Sequence, residues 1–202
     1  MCVARFFLFF LLNASFVVQG QVADTDTDSD FDLALIKKSS LVNKHGRIGS
    51  LTTGIFKPLN LFVFLSPECP LSKNYTIVLN KIIKDFPRDS LITIGIISGK
   101  SYSSKEVRLF KKEFSVDFQL FIDPDKKLTN YLEATITPEV VLINEKGKLI
   151  YRGAIDDWVI DLGKNKIKPE KEYLRLAVTQ YINHQPISIK KTRPKGCYIN
   201  EY

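Results

Sequence analysis

Two apolar runs constrain this chain most. Leu59–Leu65 (LNLFVFL) and Leu91–Ile97 (LITIGII) offer almost no polar face. Strands apolar on both sides belong inside a parallel sheet that is covered on both faces. Between the runs, Tyr75, Val78, Leu79, Ile82, Ile83 and Phe86 recur at helical spacing, and Pro87 follows as a stop. The period thus changes from strand to helix and back to strand within one segment.

The flanking segments extend the pattern. His45-Gly46-Arg47 reads as a turn between short strands Leu41–Lys44 and Ile48–Leu51. Ser103 and Glu106 form a capping box ahead of Val107, Phe110 and Phe114. Phe118–Ile122 reads as a short strand. Asp123-Pro124 then opens a small helix carrying Leu128, Tyr131 and Leu132. Val140–Ile143 and Leu149–Arg152 flank Asn144-Glu145-Lys146-Gly147 as a hairpin. Pro169 opens a last helix with Leu174, Ala177, Val178, Tyr181 and Ile182 on one face. The order predicts an α/β fold, a mixed central sheet with helices on both faces.

The N-terminus sets the compartment. Residues 1–20 read as a secretory signal peptide: Arg5, an apolar stretch Phe6–Val18, and a small-residue cleavage pattern at Val18-Gln19-Gly20. The apolar run is shorter than the roughly 20 residues a bilayer span needs. An exported chain with no stable membrane span is therefore expected. The acidic stretch Asp24–Asp30 lacks the glycine and the closing glutamate of a calcium loop, so residues 21–40 read as an acidic linker. Residues 41–185 form the folded domain, and residues 186–202 a basic tail.

Composition excludes several classes. With 202 residues, 45% hydrophobic and 25% charged, the chain buries a real core and is neither disordered nor collagenous. The net charge of +7 includes no run of five or more basic residues, which fits a solvated basic surface rather than a nucleic-acid footprint. The tail cations Lys190, Lys191, Arg193 and Lys195 are the only cluster that suggests an anionic partner.

Cleavage of the leader removes Cys2 and leaves Cys69 and Cys197, an even pair that suits a disulfide in an oxidising compartment. Cys69 falls between a buried strand and a helix, with Pro70 in the first turn, where its missing N–H costs nothing. Free N–H groups and the helix dipole at such a position favour a thiolate. Lys73 adds positive field and Glu68 opposes it. Two readings remain at this point: a reactive thiol, or a buried cysteine that is inert or half of a structural disulfide.

The aromatic-rich strand at Phe62–Phe64, Cys69-Pro70 at a helix start, and Thr137-Pro138 ahead of strand Val140–Ile143 resemble the thioredoxin-like superfamily. Within it they resemble secreted redoxins of the AhpC/TSA type. The resemblance covers residues 42–184. It implies a thioredoxin-like fold and a cis-proline loop at Thr137-Pro138 facing the active thiol. Read as residues alone, Pro138 fits an ordinary trans strand-entry proline equally. The resemblance further implies a disulfide-containing protein or a peroxide as substrate and an external thiol as reductant. It places Pro70, Ser72, Thr137 and Pro138 around that substrate.

The departures narrow the chemistry. Ser72 replaces the second cysteine of C-x-x-C, so a vicinal dithiol mechanism is excluded. In the peroxidase pattern P-x-x-x-T-x-x-C, Ser66 stands at the Thr position and Phe62 replaces the Pro. Lys73 replaces the second cysteine of copper-binding relatives, and the histidines are only His45 and His184, so no metal or other cofactor is expected. Gly196-Cys197 is similar to the tail of some secreted redoxins. From His184 the extended chain covers about 40 Å, enough to bring Cys197 to Cys69. Cys197 then resolves an intermediate on Cys69, staples the tail, or stays free or pairs between molecules. A staple closing so long a loop is worth roughly 4–5 kcal/mol in the chain-entropy model. The alternative function is accordingly a non-catalytic binding module with a structural Cys69–Cys197 disulfide. Asp156-Asp157 reads as a solvated acid pair at a helix start, and Trp158 and Tyr151 as core residues.

Overall fold

The computed structural model describes residues 30–51, 56–161 and 163–199. The leader read over residues 1–20, Cys2 and most of the acidic stretch lie outside the described residues. The elements run α1 (Leu33–Lys37), β1 (Leu41–Val42), β2 (Ile48–Gly49), β3 (Leu59–Leu65), α2 (Pro70–Asp85), β4 (Leu91–Ser98), α3 (Ser104–Glu113) and β5 (Gln119–Asp123). They continue with α4 (Lys127–Tyr131), β6 (Ile136–Thr137), β7 (Glu139–Asn144), β8 (Leu149–Gly153), β9 (Val159–Asp161), β10 (Lys164–Asn165), α5 (Tyr173–Ile182) and β11 (Cys197–Tyr198).

A seven-stranded mixed sheet has the order β2-β1-β5-β4-β3-β7-β8. β3 pairs in parallel with β4 and antiparallel with β7, in the registers Leu65↔Ile97 and Val63↔Val140. β4 and β5 are parallel, and β7 and β8 close the edge as the expected antiparallel hairpin. Gly147 in that turn has φ 87°, and a Cβ there would lie 2.0 Å from the Phe31 carbonyl oxygen. The position therefore requires glycine on both counts.

Every residue of β3 is buried, because the pleat sends alternate side chains into two separate cores. Leu59, Leu61, Val63 and Leu65 pack with Leu71, Tyr75 and Leu79 of α2, Val107 and Phe110 of α3, and Leu174 and Val178 of α5. Phe62 and Phe64 point the other way, toward Ile36 of α1 and Leu128 of α4. Burying each such large apolar side chain is worth about 1.5–3 kcal/mol. The helices thus cover both faces, as the apolar runs predict. The capping box at Ser103 and Glu106 is formed in both directions.

Several expectations are corrected. The part of the expected acidic linker that is described is folded: Phe31 and Ile36 are buried, and Phe31 N–H donates to the Gly147 carbonyl at 2.8 Å. Residues 31–36 (FDLALI) are mostly apolar, but the stretch is too short to set a period. The small helix begins at Lys127, not at Pro124. The Asp123 carboxylate accepts from the Thr129 N–H and hydroxyl, each at 2.8 Å, and a turn occupies the intervening residues. The last helix begins at Tyr173, not at Pro169. Asp157 takes the Glu170 and Lys171 N–H groups at 2.8 and 2.9 Å and draws that backbone away from a helical path.

Asp156-Asp157 is not a solvated helix-start pair. Asp156 is 5% exposed and accepts from Tyr75 Oη at 2.5 Å and from the Trp158 N–H at 2.9 Å. Burial pushes its pKa up. Burial also acts upward on Asp157, but the Lys166 ammonium and the two backbone donors outweigh it and hold that carboxyl at about 2. Tyr151 is fully buried, and Trp158 packs edge-on to Tyr75 with centroids 5.8 Å apart.

Candidate active site

Cys69 is the N-cap residue of α2, with φ −74° and ψ 117°, and Pro70 occupies the first turn. β3 delivers the chain to this point from the centre of the sheet. The Cys69 N–H donates to the Ser66 carbonyl at 3.1 Å, and its own carbonyl accepts from Lys73 N–H at 3.2 Å. The strand end and the first helical turn are thereby locked together.

The opposite wall is the segment before β7. The Thr137-Pro138 bond is cis, and the Thr137 carbonyl accepts from Cys69 Sγ in its thiol form at 3.2 Å. The loop is held by groups that sequence reasoning missed. Glu139 Oε2 accepts from the Thr135 and Ile136 N–H groups at 2.9 and 3.3 Å. Arg152, buried in β8, pairs with Glu133 and donates to the Leu132 carbonyl. Their only sequence signal is charge inside the apolar strands flanking the Asn144–Gly147 turn.

The tail completes the site. β11 lies antiparallel to β6 with Cys197 opposite Thr137 and Tyr198 opposite Ile136. Ile199 N–H donates to the Thr135 carbonyl at 2.9 Å, and the Thr137 hydroxyl donates to the Cys197 carbonyl at 3.3 Å. Cys197 Sγ is 2.6 Å from Cys69 Sγ. The structure therefore brings together Cys69, Pro70, Ser72, Thr137, Pro138 and Cys197, with Pro70 exposed on the rim and Ser72 and Pro138 buried below.

The electrostatics separate the two thiols. Burial pushes Cys69 up, but the Cys197 thiol and the Ser72 N–H and hydroxyl donate to its sulfur and hold it below the ordinary thiol value. The helix N-terminus acts in the same sense. The Ser72 oxygen accepts from the Ser66 N–H at 3.1 Å, which leaves its proton directed at the sulfur. Cys197 is pushed up to about 12 by burial, then by its hydrogen bond to Cys69 and the charge there. In the reduced pair the single remaining proton stays on Cys197. The Lys73 ammonium sits 5.6 Å from the centre of the Phe114 ring.

The Cys69 thiolate of the reduced protein, followed by its ultraviolet absorbance against the Cys69→Ser protein, is expected to titrate below the ordinary thiol range and to be lost as pH falls through that midpoint. Cys197→Ala removes the largest stabilising donor and moves the Cys69 midpoint up. A wild-type midpoint at or above that of a free thiol would contradict the assignment.

No protein-family model matches the sequence, and no curated protein matches it. Solved structures do. An uncharacterized conserved protein from Geobacillus kaustophilus superposes with a TM-score of 0.73 at 20% identity, over 88% of this chain and 94% of that one. A hypothetical protein from Sinorhizobium meliloti gives 0.68 at 22% identity, over 85% and 91%. A thioredoxin-like protein from Aeropyrum pernix gives 0.50 at 15% identity, over 60% and 83%. Together with the mixed sheet, the cysteine at the start of α2 and the proline loop facing it, these likenesses show that the chain has a thioredoxin-like fold.

Proposed function

We propose that this chain is an exported thiol–disulfide oxidoreductase with Cys69 as nucleophile and Cys197 as resolving cysteine. The observation that carries the reading is the pair itself: Cys197 Sγ stands 2.6 Å from Cys69 Sγ on a strand paired with the Thr137 loop. The export half of the proposal rests on the leader read over residues 1–20.

The chemistry balances as two exchanges. The Cys69 thiolate attacks one sulfur of a substrate disulfide and forms a mixed disulfide, and the other substrate sulfur leaves as a thiolate. Loss of the thiolate at Cys69 removes both the hydrogen bond and the charge that raise Cys197. Cys197 then deprotonates more readily and attacks Cys69 Sγ. The Cys69–Cys197 disulfide forms, and the second substrate sulfur leaves. One substrate disulfide becomes two thiols, and the protein loses two electrons. An external thiol reductant restores the pair.

A disulfide suits the site better than a peroxide. The Ser66 hydroxyl, at the position where the peroxidase pattern has Thr, is 3.0 Å from Tyr102 Oη. The substrate wall is a polypeptide edge, with Thr135 and Thr137 groups bonded to an extended strand.

The reduction potential tests the proposal. It is read by alkylation and mass mapping of the mature protein across a thiol redox buffer. Exchange above about −250 mV is expected of a working pair. Resistance to reduction below about −300 mV would make the disulfide a permanent staple and the chain a binding module.

A further inference from the structure

The tail is bound in two different ways. Its upstream part is clamped to the sheet edge. Arg152 N–H donates to the Lys190 carbonyl at 2.9 Å, and Thr192 N–H to the Arg152 carbonyl at 3.0 Å. The Thr192 hydroxyl also meets Tyr151 Oη at 2.5 Å and the Ala154 N–H at 2.9 Å. Its downstream part lies on β6 through backbone bonds, and the Tyr198 side chain is 75% exposed. Arg193, Pro194 and Lys195 join the two parts.

The downstream contact has one steric demand. A Cβ on Gly196 would lie 2.0 Å from the Thr137 carbonyl oxygen, 2.7 Å from its carbonyl carbon and 3.0 Å from Ile136 Cγ2. Two of these three atoms are backbone, so they cannot swing aside as a side-chain end can. The strand that reaches Cys69 along β6 must therefore bring a glycine immediately before its cysteine. Cys69 itself is only 2% exposed with the tail seated, so no outside sulfur reaches it in this arrangement.

We propose that Gly196-Cys197-Tyr198-Ile199 is an internal substrate. The β6 edge beside Cys69 is a groove for an extended polypeptide with glycine before its reactive cysteine, and the tail holds that groove until such a segment displaces it. This rests on the oxidoreductase reading and names its substrate class. An added strand supplies affinity through main-chain bonds and specificity through its close contacts. Cys197 and the substrate cysteine take the place opposite Thr137 in turn: Cys197 attacks Cys69 Sγ in line with the departing substrate sulfur, and the tail reseats on β6 once the reduced polypeptide has left. The clamp at Lys190–Thr192 keeps Cys197 close throughout.

The test uses the reduced, mature wild-type protein and the five-residue peptide of the tail, Lys-Gly-Cys-Tyr-Ile, as its mixed disulfide with 5-thio-2-nitrobenzoate. A second peptide carries Val in place of Gly. Release of the coloured thiolate reports attack by Cys69. Attack on the glycine peptide is expected to be at least about tenfold faster than on the valine peptide, because overpacking against backbone is not relieved by rotamer change. The small disulfide reagent without a peptide reports intrinsic Cys69 reactivity. Gly196→Val, verified as folded by thermal unfolding, is expected to unseat the tail and speed attack on that small reagent, with the preference for the glycine peptide retained. Equal rates for the two peptides, with normal reactivity toward the small reagent, would overturn the groove assignment and leave the oxidoreductase reading standing. An unchanged small-reagent rate in folded Gly196→Val would overturn the gating role of the tail. Absence of reaction with all three reagents would remove the oxidoreductase reading itself.

Discussion

Cys69→Ser is expected to abolish disulfide exchange, with a loss of at least about a thousandfold in turnover. The reason is chemical. A serine hydroxyl stays protonated at any working pH, and the donors that hold the Cys69 thiol below its ordinary value, Cys197 and Ser72, do not bring an alcohol into the same range. The fold is spared, since a hydroxyl can donate to the Thr137 carbonyl as the thiol does. Insulin reduction followed by turbidity and a single-turnover reaction with a small disulfide both read the effect, with thermal unfolding as the control. Activity surviving in a folded Cys69→Ser protein would sink the mechanism.

Cys197→Ala should have the next largest effect, of a different kind. Cys69 still attacks a disulfide once, but nothing resolves the adduct. Without added thiol, turnover is expected to stop after one equivalent, with the substrate retained on Cys69 and visible by intact mass. A tethered thiol acts at an effective concentration in the millimolar range, so a micromolar external thiol should restore turnover only at rates lower by about a hundredfold or more. Millimolar thiol should recover most of it. Undiminished turnover in thiol-free buffer would show that Cys197 does not resolve, whatever its distance from Cys69.

These two variants separate the two cysteines because the site is asymmetric. Cys69 stands on a helix N-cap fed by a central strand, where the Cys197 thiol and Ser72 hold its sulfur below the ordinary thiol value. Cys197 stands on a two-residue strand held by β6 and a nearby clamp. The first is built into the core of the fold and the second is laid on its edge.

What was legible in the sequence was local. Leu59–Leu65 is a strand because its pleat fills two cores at once, and LITIGII beside it fixes the parallel pair. Ser103 and Glu106 make their capping box within one helical turn. Cys69 lies between a strand and a helix on any reading of its neighbours, so its place at an N-cap was legible as well. The positions that misled were those where a distant group intervenes. Asp157 holds residues 170 and 171 out of the last helix, and Tyr75 draws Asp156 into the core.

The sequence by itself determined the alternation of strands and helices, the two-faced core and the chemistry available at Cys69, because periodicity and capping act over a few residues. Only the tertiary structure decided what stands opposite that thiol. Chain length permits Cys197 to reach Cys69 but does not require it. The backbone of β6, the close approach at Gly196 and the clamp at Thr192 are contacts between segments remote in sequence, and they exist only once the sheet has placed the β6 loop beside the start of α2.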